Sequence, residues 1–402
     1  MTVEFQILPR RTAYREWGDD TMENQGDRER RPATRSTFGG RFRTMGRRRF
    51  VSTLLGAGFG SMATLLTPDD VKAAGRNEVP LVYAHENNLK PRTTMVSADW
   101  FEDLRSAFDA HRRLNVASTP GVVGSAVVPG EFGGRNAALS VDVTGSEVGG
   151  AVPEHVGDVA VELNRVGSTP SGATRNDRSD SFGGKLVPGG VKCGSRDSAG
   201  TLAPAMYDGT SPFFATSNHV FGGDAEQHSG EPFFVHGDGD PRKIGEVRRG
   251  YQLDDFVRID PTGGFRPTNE IFGASPSTVV GQFTREGLAE LKARGEKLEK
   301  VAFRSGHSDG QLHAIDGLTC AYGKVCKRGQ LKWGSQSDFT DGDSGSVNYH
   351  TDPENPESGV LVGGFNNART WWPGEDYIWG TSAYRITNHY GFTFSPLTAG
   401  SR

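Results

Sequence analysis

From residue 95 onward, short apolar runs alternate with turn-forming residues, and their spacing predicts a chain built mainly of strands. The first periodic segment is the exception. Trp100, Leu104, Phe108 and Leu114 recur at helical spacing over residues 99–114, with Ser97 or Asp99 available as the N-cap. Strand-like runs follow at 121–128 and 137–143, and Val152-Pro153 with 159–163 add a further strand. Residues 166–190 are rich in Gly, Ser, Arg and Asp without an apolar period, which reads as a linker. Beyond it lie apolar runs at 198–203, 212–215, 231–235, 243–247 and 254–259. Residues 285–300 read as a second helix, a charged surface insertion carrying Leu288, Leu291 and Leu298. Strands resume at 300–303 and continue through Leu331, 346–349 and 359–365. The pattern therefore predicts a small α/β block at 95–165, a linker at 166–190 and a mainly-β domain at 191–395.

Composition agrees with that picture. The chain has 402 residues, 55 of them glycine, and only 35% hydrophobic residues, which suits many short strands joined by turns. A formal net charge of −4 gives no basic footprint, so a nucleic-acid partner is not expected.

The three cysteines are too few for a disulfide framework. Cys320 and Cys326 bracket a predicted hairpin tip and can close a small disulfide outside the cell, which leaves Cys193 over. No set of His and Cys residues has metal-site spacing, so no metal is expected.

The front of the chain has a different character. Arg47-Arg48-Arg49-Phe50-Val51 precedes a Gly/Ala-rich apolar run that reaches Leu66, and Val71-Lys72-Ala73 follows. This 45–74 segment resembles a twin-arginine export signal, with an uncleaved membrane anchor as the alternative. It implies the twin-arginine (Tat) translocation machinery as a partner, a secreted product and no stable membrane span in the mature form. Residues 1–44 are arginine-rich and acidic without periodicity, and are read as a disordered extension or as lying ahead of a true start at Met45.

Candidate chemistry is concentrated in three motifs. Thr340-Asp341-Gly342-Asp343-Ser344-Gly345-Ser346 sets a serine between glycines, where a tight turn can expose its hydroxyl and aim backbone N–H groups at one point. A serine needs a base to take its proton, and His219 in Ala215-Thr216-Ser217-Asn218-His219-Val220 can be that base. A carboxylate from Asp254-Asp255-Phe256-Val257 can orient the imidazole. Alone, a Gly-Asp-Ser-Gly is most often a surface turn, and a single histidine or aspartate is most often structural. In the order His, Asp, Ser, each beside a strand-like run, they reinforce one another.

Together these motifs resemble those of bacterial and archaeal trypsin-like serine peptidases, over roughly residues 189–394. The resemblance implies a mainly-β, two-barrel chymotrypsin-like catalytic domain behind the small α/β N-terminal subdomain, which is either retained or removed as a propeptide. It implies Ser344 as nucleophile, His219 as base and then acid, and Asp255 as the orienting acid, preferred to Asp254 because it directly precedes Phe256-Val257. Gly342 and Ser344 would supply the backbone oxyanion hole. Asp338, six residues before Ser344, stands where trypsin-like enzymes read a basic side chain, although a solvated loop role is the alternative. Asp343 would order the turn. Arg304-Ser305-Gly306-His307 resembles a turn of the family, and His228, His236, His307 and His313 are placed on polar turns outside the chemistry. The implied activity is endopeptidase hydrolysis of protein or peptide substrates through an acyl-enzyme, with no cofactor. An inactive protease-fold binding protein and an esterase using the same triad are the alternatives. The paired Trp371-Trp372 read either as a substrate platform or as a loop anchor.

Overall fold

The computed structural model describes residues 77–116, 118–144, 151–167, 184–222, 228–237, 240–320, 325–370 and 376–397. The export-like segment, most of the linker and Trp371-Trp372 lie outside the described residues. Chain order begins with a hairpin, β1 (Glu78–Glu86) and β2 (Lys90–Ser97), and then α1 (Ala98–Arg113). Ser97 caps that helix by accepting from Trp100 N, and Trp100, Leu104 and Phe108 are buried along one face. Next come β3 (Val122–Val128), β4 (Ala138–Val143), β5 (His155–Val156) and β6 (Val159–Arg165).

The following stretch holds β7 (Leu186–Gly189), β8 (Lys192–Gly194), β9 (Ala199–Thr201), β10 (Met206–Asp208), β11 (Ser211–Ser217), β12 (Pro232–Val235), β13 (Arg242–Tyr251), β14 (Phe256–Pro261) and β15 (Arg266–Ile271). The first barrel is built from these strands, with β7 and β15 paired as a separate two-stranded sheet. Six are hydrogen-bonded in the order β11-β14-β13-β12-β8-β9, and Ala203 N closes the ring by donating to Ala215 O of β11 at 3.0 Å. Phe214, Phe233, Ile244, Val257 and Ile259 fill its interior. The end of the expected linker is ordered here: Leu186–Gly189 is a strand parallel to β15, because Val187 is fully buried against the barrel.

The remaining elements are β16 (Val279–Phe283), α2 (Arg285–Ala293), β17 (Lys297–Ala302), β18 (Gly306–Thr319), β19 (Lys327–Trp333), β20 (Val347–Thr351), β21 (Val360–Phe365), β22 (Ala368–Thr370), β23 (Tyr377–Thr381) and α3 (Ala383–Tyr390). The second ring runs β21-β20-β17-β18-β19-β23, and an antiparallel bridge between Gly364 and Ser382 returns it to β21. Two six-stranded closed barrels in tandem are the chymotrypsin-like architecture, so the expected mainly-β fold class holds.

Two expectations need correction. The second helix does not reach residue 300. It stops at Ala293 in a Schellman motif, with Glu296 N donating to Leu291 O and Gly295 N to Lys292 O while Gly295 takes φ 74°. Leu298 therefore belongs to β17. Nor is the helix a surface insertion, since Leu288, Ala289 and Leu291 sit in the core.

The N-terminal block precedes the barrels in the chain, and its strands extend the second barrel's sheet. β3 pairs with β18, placing Val127 opposite Ile315, and β1 pairs with β16. One apolar cluster holds Leu81, Leu104, Phe108 and Leu139 together with Ile315, Leu331, Trp333 and Ile378. A buried pair, Lys332 Nζ to Asp142 Oδ1 at 2.7 Å, spans the same junction. Val152 is buried but lies ahead of the strands. The Cys320–Cys326 disulfide is present, with Cα atoms 4.2 Å apart where β18 and β19 separate, and Cys193 is a buried free thiol.

Candidate active site

Each of the three motifs ends or begins a strand. β11 runs antiparallel to β14 and delivers His219 one turn past its end, while Asp255 directly precedes β14. Ser217 pairs with Phe256 across that ladder, so the histidine and the aspartate come to the same end of the first barrel. Ser344 lies on the turn leading into β20 of the second barrel.

The three side chains form one hydrogen-bonded line. Ser344 Oγ is 2.8 Å from His219 Nε2, and His219 Nδ1 is 3.0 Å from Asp255 Oδ2. Asp255 also accepts from the His219 backbone N–H through Oδ1 at 3.1 Å, so both carboxylate oxygens fix one residue. Asp255 adopts φ 48°, sparsely populated for a non-glycine residue, and its carbonyl accepts from Asn218 N at 3.1 Å. Asp254 is turned elsewhere: its Oδ1 accepts from Arg385 Nε at 3.0 Å and its Oδ2 from Tyr390 Oη. Geometry thus separates the two adjacent aspartates, with Asp255 against His219 and Asp254 against Arg385 and Tyr390.

Burial disfavours the charged form of His219, but the Asp255 carboxylate and its hydrogen bond outweigh it and raise the imidazole pKa above its usual value of 6.5. Solvent reaches 40% of that side chain, so the pairing rather than desolvation decides the direction.

The serine turn is held from several sides. Gly345 takes φ 92°, and a Cβ there would sit 2.1 Å from Thr216 Oγ1, so only glycine fits. Within the turn Asp343 N, Gly345 N and Ser346 N donate to the carbonyls of Thr340, Asn366 and Asp343. The N–H groups of Gly342 and Ser344 enter none of these turn bonds. An arrangement of this kind lets the imidazole take the Ser344 proton.

Asp343 is fully buried and accepts from Ser305 N at 3.1 Å, Ser305 Oγ at 2.6 Å and Thr340 N at 3.0 Å, and it lies 3.5 Å from the equally buried Lys300 Nζ. Sequence reading singled out the Ser305 turn but missed Lys300, whose signal is a lysine inside the apolar run Leu298–Phe303. Removing one member of a buried ion pair strands the other, typically at a cost of ~3–5 kcal/mol. Lys300→Met is therefore expected to lower unfolding stability in urea by an amount of that order, and Asp343→Asn on top of it should restore part of the loss. An unchanged urea midpoint in Lys300→Met would remove the pair from the turn's support.

Other contributors were also missed. Asn367 accepts from Ser217 Oγ at 3.0 Å and donates to Thr381 Oγ1 at 3.0 Å, and Thr381 Oγ1 donates to Asp254 O at 2.7 Å, tying the two barrels together behind the triad. Asp338 is not brought into the line of three. Its Oδ2 accepts from Ser335 N and Ser335 Oγ, each at 2.8 Å. His228 pairs with Glu231, and His236 lies just beyond β12. His307 and His313 lie within β18 rather than on turns, bonded to Glu299 and to Gly334 O. Among the described residues no cluster of His, Cys, Asp or Glu side chains is set to hold a metal ion, and no helix is long and apolar enough to cross a membrane.

No protein-family model matches the chain, and no curated protein matches it. Among solved structures it is similar to a glutamic acid specific serine protease, at 15% identity and TM-score 0.39, over 52% of this chain and 99% of the other. It is similar to Thermobifida fusca protease A at 14% identity and TM-score 0.39, again over 52% and 99%. The MamO protease domain of Magnetospirillum magneticum matches at 13% identity and TM-score 0.32, over 50% and 94%. These likenesses are distant, and the reading of the site rests on its own geometry.

Proposed function

We propose that the chain is a serine endopeptidase that hydrolyses peptide bonds through an acyl-enzyme on Ser344. The observation that carries this reading is the unbroken line Ser344 Oγ, His219, Asp255, with spacings of 2.8 and 3.0 Å. In the first half-reaction Ser344 Oγ bonds to the substrate carbonyl carbon while its proton moves to His219 Nε2. The Gly342 and Ser344 N–H groups stabilise the oxyanion, each such donor typically contributing about 3–4 kcal/mol. As the C–N bond breaks, His219 returns the proton to the leaving amine. Water then attacks the ester carbonyl, His219 takes its proton, and the acid product leaves as Ser344 recovers its hydrogen. Asp255 keeps the imidazole in the tautomer that presents Nε2 and stabilises the cation formed. The reaction uses no cofactor.

Fluorophosphonate labelling tests this reading directly, since the reagent reacts with an activated serine. Stoichiometric adduct on Ser344 supports a hydrolase, and complete lack of labelling in folded protein sinks it in favour of a binding protein. Turnover of casein as well as of short esters then separates a peptidase from an esterase. In this proposal Asp338 reads a basic substrate side chain only by exchanging the bonds that its carboxylate makes with Ser335 N and Oγ.

The same reading includes export through the twin-arginine route, motivated by Arg47-Arg48 and the apolar run behind them. Replacing both with lysine is expected to retain the protein in the cell. Undiminished secretion of that variant would count against this route.

A further inference from the structure

The N-terminal block and the second barrel do not close completely on each other. Between the end of α1, β18, β19 and α3 they leave a cavity of about 500 Å³. Four arginines line it, Arg112, Arg285, Arg328 and Arg385, against one acid, Asp316. A space of that size can hold a small organic molecule rather than a lone ion.

Three of the four charges already have carboxylate partners. Arg112 pairs with Asp109, Arg285 Nη2 with Glu286 at 2.8 Å, and Arg385 Nε with Asp254 Oδ1 at 3.0 Å. The Asp316 carboxylate is taken as well, since it accepts from Tyr384 Oη at 3.1 Å and lies 3.6 Å from Arg285 Nη1. Arg328 is the exception. It is exposed, and among the described residues its side chain has neither a carboxylate nor another hydrogen-bond acceptor.

Two neighbours set further donors beside it. Gly329 takes φ 63°, and a Cβ there would lie 2.6 Å from Arg385 Cγ, so the stem of Arg385 can lie across the strand next to Arg328. Asp254 takes only the Nε of that guanidinium, and the Nη groups have no partner among the described residues. Asn388, one turn further along α3, lines the same cavity with an exposed side-chain amide.

We propose that this cavity binds a small organic anion by its carboxylate or phosphate group, with Arg328 as the charged contact and Arg385 and Asn388 as flanking donors. A guanidinium meets two oxygens of either group with parallel charge-assisted hydrogen bonds. An uncharged ligand would leave the Arg328 charge unanswered, and a cation would be repelled by it. The site stands apart from Ser344, and the inference does not rest on the hydrolase reading. It borders the triad's support all the same, because Arg385 holds Asp254, the residue before Asp255.

The test is calorimetric titration of the full chain with inorganic phosphate and, separately, with citrate, at an ionic strength held constant with chloride. Saturable binding of at least one of them is expected, and the tighter of the two identifies the preferred oxyanion as phosphate or carboxylate. Arg328→Gln should weaken that binding by about tenfold or more, and Arg328→Lys by less. Because Arg328 is exposed, its loss should leave the urea midpoint without anion unchanged. Arg248→Gln removes an exposed arginine of β13, outside the cavity, and should leave the affinity as it was. A second reading comes from urea unfolding, where the bound anion should raise the midpoint of the unaltered chain more than that of Arg328→Gln. Absence of saturable binding for both anions, binding that survives Arg328→Gln, or an equal loss in Arg248→Gln overturns the inference.

Discussion

Replacing Ser344 with alanine is expected to abolish fluorophosphonate labelling and to lower peptide hydrolysis by several orders of magnitude, with the unfolding transition unchanged. The activity loss follows from removing the atom that bonds to the substrate. In catalytic triads the loss of the serine alone costs about as much as the loss of all three members, because the residues act as one unit. The fold should tolerate the change. The Ser344 hydroxyl is engaged by His219 and, more weakly, by Asn367 O, while the turn itself is held by Asp343, Gly345 and Ser346. Intact mass after labelling, with peptide turnover and a urea melt on the same preparation, checks all three parts. Residual turnover near that of the unaltered chain would move the chemistry away from Ser344.

How far the site could be read from sequence depends on how local its determinants are. His219, Asp255 and Ser344 were legible because each lies in a short motif beside an apolar strand, and their order along the chain is itself informative. The choice between Asp254 and Asp255 was harder, since both precede the same apolar pair. Arg385 and Tyr390, more than 130 residues away, settle the orientation of Asp254. Asn367 and Thr381 had no readable signal of function, because partners such as Ser217 and Asp254 lie more than a hundred residues away along the chain.

The fold shows the same division. Individual strands and α1 follow from periodicity, but barrel closure depends on pairings such as Ala203 with Ala215 and Gly364 with Ser382. The junction of the N-terminal block with the second barrel depends on β3 meeting β18, which lies almost two hundred residues later. Local patterns carry no record of such contacts. The second helix was overextended for a different reason. Leu298 falls close to helical spacing from Leu291, yet the left-handed Gly295 between them ends the helix, and Leu298 is buried through a strand instead.

Asp255→Asn is expected to leave the spacing of the three side chains nearly intact while lowering turnover by about 10⁴-fold. An asparagine that still caps the His219 backbone N–H can hold the loop, but its amide can donate to Nδ1. That selects the tautomer with the proton on Nε2, which then cannot accept from Ser344. The pH dependence should move as well. A general base must be neutral, so activity in the unaltered chain should rise with pH through the His219 pKa, which Asp255 holds above 6.5. Without that carboxylate the imidazolium loses its partner, its pKa falls, and the rising limb of the profile should shift to lower pH. The two readouts separate an orienting role from a merely structural one: a destabilised loop would lower turnover without moving the limb in that direction. A profile that keeps its midpoint in Asp255→Asn, or turnover within tenfold of the unaltered chain, would assign the orienting role to another group, and Asp254 would be the first to test.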